Sequence, residues 1–125
     1  MYCSRGDGLA ETRHVFLDNN DLPQRWAGRG LFVVAETGFG TGLNFLALCQ
    51  AWKAHRPNAG RLHFVSVERF PLCLEDLRQA LARWPELAEE AGALYSMYPP
   101  LLPGCHRMGL DDGITLDLWL SLIHI

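Results

Sequence analysis

The stretch Leu31–Asn44, LFVVAETGFGTGLN, decides how the rest of the chain is read. Leu31–Ala35 is an unbroken apolar run, Glu36 follows it, and glycine recurs at Gly38, Gly40 and Gly42 before apolar residues resume at helical spacing. A short continuous apolar run reads as a buried parallel strand. With the glycines and the periodic segment after it, the stretch predicts a strand, a tight loop and the first turn of a helix, the opening unit of a doubly wound α/β sheet. In such sheets ligands bind beyond the carboxyl ends of the strands, so the loop is the candidate site and a nucleotide-like cofactor its expected occupant. The unbroken apolarity predicts a central strand covered on both faces.

Downstream, Leu43, Leu46, Ala47, Cys49, Gln50 and Trp52 fill a helix to about His55, stopped by Pro57-Asn58-Ala59-Gly60. Leu62–Val67 reads as the second strand, with Glu68 at its carboxyl end. Pro71 opens a helix whose Leu74, Leu77, Leu81 and Trp84 form an apolar stripe; Pro85 ends it, and Glu86–Met97 is a further helix. After the proline-rich Pro99–Gly104 loop, Asp112-Gly113 between two alternating runs is a hairpin signal, Leu116, Leu118 and Leu120 opposing Asp117 and Trp119. Upstream, residues 1–30 read as a polar cap with a short strand at His14–Leu17, a turn at Asp18–Asp21 and a helical turn from Leu22-Pro23 to Trp26.

With 125 residues, 49% hydrophobic and 20% charged, the chain suits one globular domain, and no apolar run reaches membrane-spanning length. A soluble, cytoplasmic protein is expected, MYCSRGDG having no apolar core of a signal peptide. The formal charge of −3 gives no overall basic surface for nucleic acid; any basic face is local. Cys3, Cys49, Cys73 and Cys105 lack paired spacing and read as reduced packing residues; His14, His55, His63 and His106 show no metal-ligand spacing. Trp26, Trp52, Trp84 and Trp119 read as core.

The register of the glycines narrows the cofactor. A dinucleotide loop is written GxGxxG, and from Gly38 its third glycine falls at Leu43; no Gly-Lys-Ser/Thr follows for a phosphate loop either. The pattern present, ExGxGxG, is the loop of S-adenosylmethionine-dependent methyltransferases. Glycine lets the backbone turn sharply and pass close under the amino-acid end and ribose. Glu36 is placed to hold the positively charged end, directly or through water, and Glu68 to accept both ribose hydroxyls. The candidate cofactor-binding residues are therefore Glu36, Gly38, Gly40, Gly42 and Glu68. No catalytic base is identifiable, and no metal site.

Beyond the loop, Asp7–Leu17 (DGLAETRHVFL), Asn20–Trp26 (NDLPQRW), Ala35–Leu46 (AETGFGTGLNFL), Leu62–Leu72 (LHFVSVERFPL) and Tyr98–Arg107 (YPPLLPGCHR) resemble the MnmC-like methyltransferases, over about residues 2–120. In that family the domain forms the N-terminal part of a bifunctional tRNA 5-methylaminomethyl-2-thiouridine biosynthesis protein. The resemblance implies an S-adenosylmethionine-dependent, Rossmann-like methyltransferase acting on the aminomethyl nitrogen of 5-aminomethyluridine at the tRNA wobble position. FAD chemistry would belong to a separate downstream domain. It also implies a division into a cap (1–30), the first half of the methyltransferase domain (31–120) and a tail (121–125), where Ser121–Ile125 replaces the Gly-Asp pair the family pattern expects. The chain thus reads as a fragment in which strand one, central in the whole domain, lacks the later strand that would pair its other side and leaves a long apolar edge exposed, so that the isolated form is poorly soluble or partly molten and binds cofactor weakly. Two alternatives stand beside this reading: a catalytically inactive Rossmann-like fragment, and a nicotinamide-dependent oxidoreductase, which Leu43 disfavours.

Overall fold

The computed structural model describes residues 5–28, 30–55 and 59–121. Four helices and four strands follow in the order α1 (Arg5–Thr12), β1 (Leu31–Thr37), α2 (Leu43–His55), β2 (Arg61–Glu68), α3 (Leu74–Leu81), α4 (Ala88–Met97), β3 (Gly104–Gly109) and β4 (Ile114–Leu120). The sheet order is β1-β2-β4-β3; β1, β2 and β4 run parallel, and β3 lies antiparallel to β4. This is the mostly parallel α/β sheet with flanking helices that the strand-loop-helix stretch predicts.

Alternation along the strands sorts the side chains by face. Phe32, Leu62, Phe64, Met108, Ile114, Leu116, Leu118 and Leu120 point to one side and join a single core with Phe45, Leu46, Leu48 and Trp52 of α2, Leu77 and Leu81 of α3, and Leu94 of α4. Phe45 meets Phe64 edge-on at 5.1 Å, and Trp26 does the same to Trp52 at 5.0 Å and Phe32 at 5.8 Å. The buried indoles have partners for their N–H groups: Trp26 donates to the His55 carbonyl and Trp52 to that of Asp112, which ties α2 to the β3–β4 turn.

The opposite face corrects two expectations. β1 pairs only with β2 among the described residues and stands at the edge of the sheet, not at its centre. Its second row is open, Leu31 being 50% and Val33 53% exposed, and Trp119 on β4 lies 49% exposed on that same face rather than in the core. An all-apolar strand reports that both faces favour apolar neighbours; it does not say that the same stretch of chain supplies them.

The N-terminal segment differs as well. Residues read as a polar entry form α1, and His14–Leu17 continues it as a π-helical turn (Arg13–Leu17) instead of a strand. Gly8 argues locally against a helix, but a Cβ there would meet the Trp84 ring at 2.9 Å, so its lack of side chain lets α1 pack while Leu9 is buried. Short 3-10 turns at Asp18–Asn20 and Gln24–Trp26 take the places of the predicted turns. Pro71 lies ahead of α3, whose N-cap is Cys73, and Pro85 opens a 3-10 turn (Pro85–Leu87) leading into α4. The helix stop at Pro57-Asn58, Cys3 and most of the 121–125 tail lie outside the described residues.

Candidate functional site

The site is built where β1 and β2 end. The Gly38 N–H donates to the Val67 carbonyl at 2.7 Å, holding the start of the loop against β2. Gly38, Gly40 and Gly42 all have positive φ (84°, 59° and 81°), which accounts for their strict alternation. Gly42 has a second reason to lack a side chain: a Cβ would lie 2.9 Å from Phe39 and 3.4 Å from Leu94, so the loop is clamped to the core at that point. Over Gly38 and Gly40 the corresponding space is open.

Two carboxylates converge on this loop. Glu68 reaches across from the last position of β2; its Oε1 accepts the Gly40 N–H at 2.7 Å and its Oε2 the Phe70 N–H at 2.9 Å. Each oxygen keeps a second lone pair. Glu36, at the end of β1, accepts a 2.6 Å hydrogen bond from Asn44 Nδ2 on Oε2, while Oε1 is buried without a partner. Ser66, its register partner on β2 and on the same face, likewise has a buried hydroxyl with no partner. Burial pushes the Glu36 carboxyl above its ordinary range; the Asn44 bond works against this and the nearby charge of Glu68 adds to it.

Beside the loop lies an open groove of about 340 Å³ lined by Thr37, Gly38, Val67, Glu68, Arg69 and Phe70. The Phe70 ring is 72% exposed, with the Arg69 guanidinium 5.8 Å from its centroid. Nearby, the Tyr98 hydroxyl donates to the Leu72 carbonyl at 2.6 Å, and its pKa is pushed up to about 12 by burial first and then by the charges of Glu68 and Cys73. Tyr98 therefore stays protonated and fixes the chain leaving β2.

All five sequence-predicted site residues are thus gathered at the carboxyl end of the sheet. Sequence reasoning missed Asn44, Phe70 and Tyr98. Asn44 carried a signal, being a lone polar residue in the otherwise apolar run Leu43–Cys49; the other two carried none, since their places depend on the chain's path after β2. Chemically, the loop offers backbone N–H donors and two carboxylates, with no basic residue from Glu36 to Asn44. That set suits a ligand bearing hydroxyls and a positive charge, and suits a pyrophosphate poorly. Among the described residues no cluster of metal-ligating side chains occurs.

Sheet, loop and strand-end acid define an α/β protein of the Rossmann-like kind, a fold whose ligands bind in a crevice at the strand ends. No family model matches the chain. It is 56% identical, over 97% of its own length, to the tRNA 5-methylaminomethyl-2-thiouridine biosynthesis bifunctional protein MnmC of Vibrio cholerae (strain O395), and 52% identical over the same share to that of Chromobacterium violaceum. The similarity is to one segment of these MnmC proteins, of whose length the chain spans 19%. Its fold is similar to a crystal structure of MNMC2 from Aquifex aeolicus, with a TM-score of 0.56 and 17% identity over 90% of this chain and 33% of that one.

Proposed function

We propose that the chain is the cofactor-binding part of an S-adenosylmethionine-dependent methyltransferase that modifies the aminomethyl group of a tRNA wobble uridine. The observation that carries the cofactor assignment is the convergence of Glu36 and Glu68 on a glycine loop without a basic residue. A strand-end acid serves the ribose of either ligand, whereas the Glu36 charge beside the loop, with Leu43 in place of a third glycine, disfavours a dinucleotide's pyrophosphate and favours a ligand with an ammonium and a sulfonium. The tRNA assignment rests on the relatives' name.

The residues present fit such a ligand. Glu68 has lone pairs left for the ribose hydroxyls, Glu36 keeps a second lone pair on Oε2 for the ammonium, and the open space over Gly38 and Gly40 admits close approach of the backbone. Phe70 offers an exposed ring for the base. When bound, the cofactor supplies an activated methyl group for in-line displacement by an amine; the chain's task is to align the two and exclude competing nucleophiles. In this reading residues 31–120 form the first half of the methyltransferase domain and residues 1–30 its cap. FAD chemistry, if a separate downstream domain is fused in the full-length protein, belongs to that domain. No helix among the described residues is long and apolar enough to cross a membrane, and a tRNA substrate would favour a cytoplasmic location.

The test uses the full chain and a hybrid in which its residues 1–120 replace the matched segment of the Vibrio cholerae relative. Calorimetry with S-adenosylmethionine and with NAD is followed by transfer of labelled methyl to tRNA carrying 5-aminomethyluridine. Binding of S-adenosylmethionine but not NAD is expected, with Glu68→Ala weakening it about 10- to 100-fold, as loss of charge-assisted hydrogen bonds implies. Tighter NAD binding, or an unchanged Glu68→Ala variant, would overturn the assignment; binding without methyl transfer in the hybrid would favour an inactive cofactor-binding fragment.

A further inference from the structure

We infer that Asn44 is a positioning residue of the cofactor site, holding the Glu36 carboxylate in the orientation that receives the amino-acid end of the ligand. The inference rests on the cofactor reading above and deepens it.

Asn44 sits in the first turn of α2, just past the glycine loop, and Glu36 is the penultimate residue of β1. The 2.6 Å bond between them closes the two ends of the loop upon each other. Among the described residues this one amide is the carboxylate's only side-chain donor, and Oε1 and the neighbouring Ser66 hydroxyl both lack partners. A charged group held by one neutral donor has acceptor capacity to spare, and its direction depends on that donor. Residues around Asn44 carry no such duty: Phe45, Leu46, Ala47, Leu48 and Cys49 are all buried in the apolar core. A polar residue tolerated at the head of so apolar a helix is accounted for by the carboxylate it orients. An amide also adds no charge that would compete with the ligand's ammonium, as lysine or arginine there would.

The role separates two ligands that share adenosine and a thioether. S-adenosylhomocysteine carries the amino-acid end, and 5′-methylthioadenosine does not. In the full chain and in the hybrid, Asn44→Leu keeps the volume and removes the donor. It is expected to weaken S-adenosylhomocysteine binding about tenfold and to leave methylthioadenosine binding within twofold of the parent. On a Glu36→Gln background, Asn44→Leu should add no further loss, because the positioned charge is already gone. Circular dichroism and thermal melts of each variant, with the milder Asn44→Ser alongside, separate binding loss from misfolding.

Equal losses for both ligands would make Asn44 merely structural and overturn the inference. So would a loss that persists in the Glu36→Gln background, which would mean that Asn44 touches the ligand itself, or an Asn44→Leu variant that binds as the parent does. A parent that binds neither ligand in either form overturns the proposed function, and this assignment falls with it.

Discussion

Two carboxylates on opposite faces of the sheet are held in opposite ways, and the difference separates structural from functional chemistry. Asp117 is buried on the otherwise open face, where Arg107 donates two 2.7 Å hydrogen bonds through Nε and Nη2 and His63 Nε2 donates a third at 2.8 Å. The Arg107 bonds above all, with His63 behind them, outweigh burial and bring Asp117 from its ordinary 3.8 down to about 2. Glu36, with one neutral donor, is shifted upward instead. A carboxyl whose folded pKa lies below its unfolded value stabilises the fold above about 3.8, and the contribution is lost as pH falls towards 2. The urea midpoint should therefore drop between pH 4 and pH 2, and Asp117→Asn should lower it at neutral pH and flatten that decline. Glu36→Gln should act in the other direction and leave the ligand-free chain as stable or more so, by about 1 kcal/mol at most, since binding sites hold groups that stability alone would not select. A Glu36→Gln variant that unfolds earlier than the parent at pH 7 would contradict this contrast.

At the scale of elements, the β3–β4 hairpin shows what local chemistry can specify. Asp112 and Gly113 both have positive φ (63° and 73°), the pair that a type I′ turn requires, and the strands pair in register from Gly109 opposite Thr115 to Gly104 opposite Leu120. Gly113→Ala should cost about 1 kcal/mol, read as a lower urea midpoint, because alanine at positive φ is strained. An unchanged midpoint would show that the turn does not limit the hairpin. This element was legible because its signal lies in two adjacent residues, as were the glycine loop, the Glu68 strand end and α2, whose periods and breakers are local. The unread parts depended on distant partners. α1 forms across Gly6 and Gly8 because the ring of Trp84 closes over it, and the Arg13–Leu17 turn continues a helix that propensity alone does not support. In the site, the acids and glycines were visible as a motif, whereas Tyr98 reaches the segment leaving β2 only through the path of α3 and α4. The exposure of Trp119 and Val33 was unreadable for the converse reason: an apolar side chain looks the same in sequence whether or not its face is covered.

For the molecule as a whole, that open face governs behaviour in solution. Leu31 and Val33 on β1, Val67 on β2 and Trp119 on β4 place apolar side chains on one side of a sheet whose helices pack on the other, and β1 has a single paired edge among the described residues. An unpaired strand edge next to exposed apolar side chains templates pairing with a second chain, and contiguous apolar surface adds to the attraction. The net charge of −3 is small for 125 residues and opposes association weakly. Asp117 and Arg107, with His63 beside Val33, interrupt the patch in the middle of the open face, so its outermost apolar side chains are those of the edge strand β1. The isolated chain should therefore sediment as a concentration-dependent mixture of monomer and larger species, with association strengthened by salt that screens the shared negative charge. Val33→Lys, which sets a charge on the edge strand's open face without touching the core row, should shift the distribution towards monomer and leave the far-ultraviolet spectrum unchanged. Sedimentation velocity of both proteins from micromolar to near-millimolar concentration decides it: a parent that is monomeric throughout, or a Val33→Lys variant that associates as strongly as the parent, would mean that the open face is not the surface on which these chains meet.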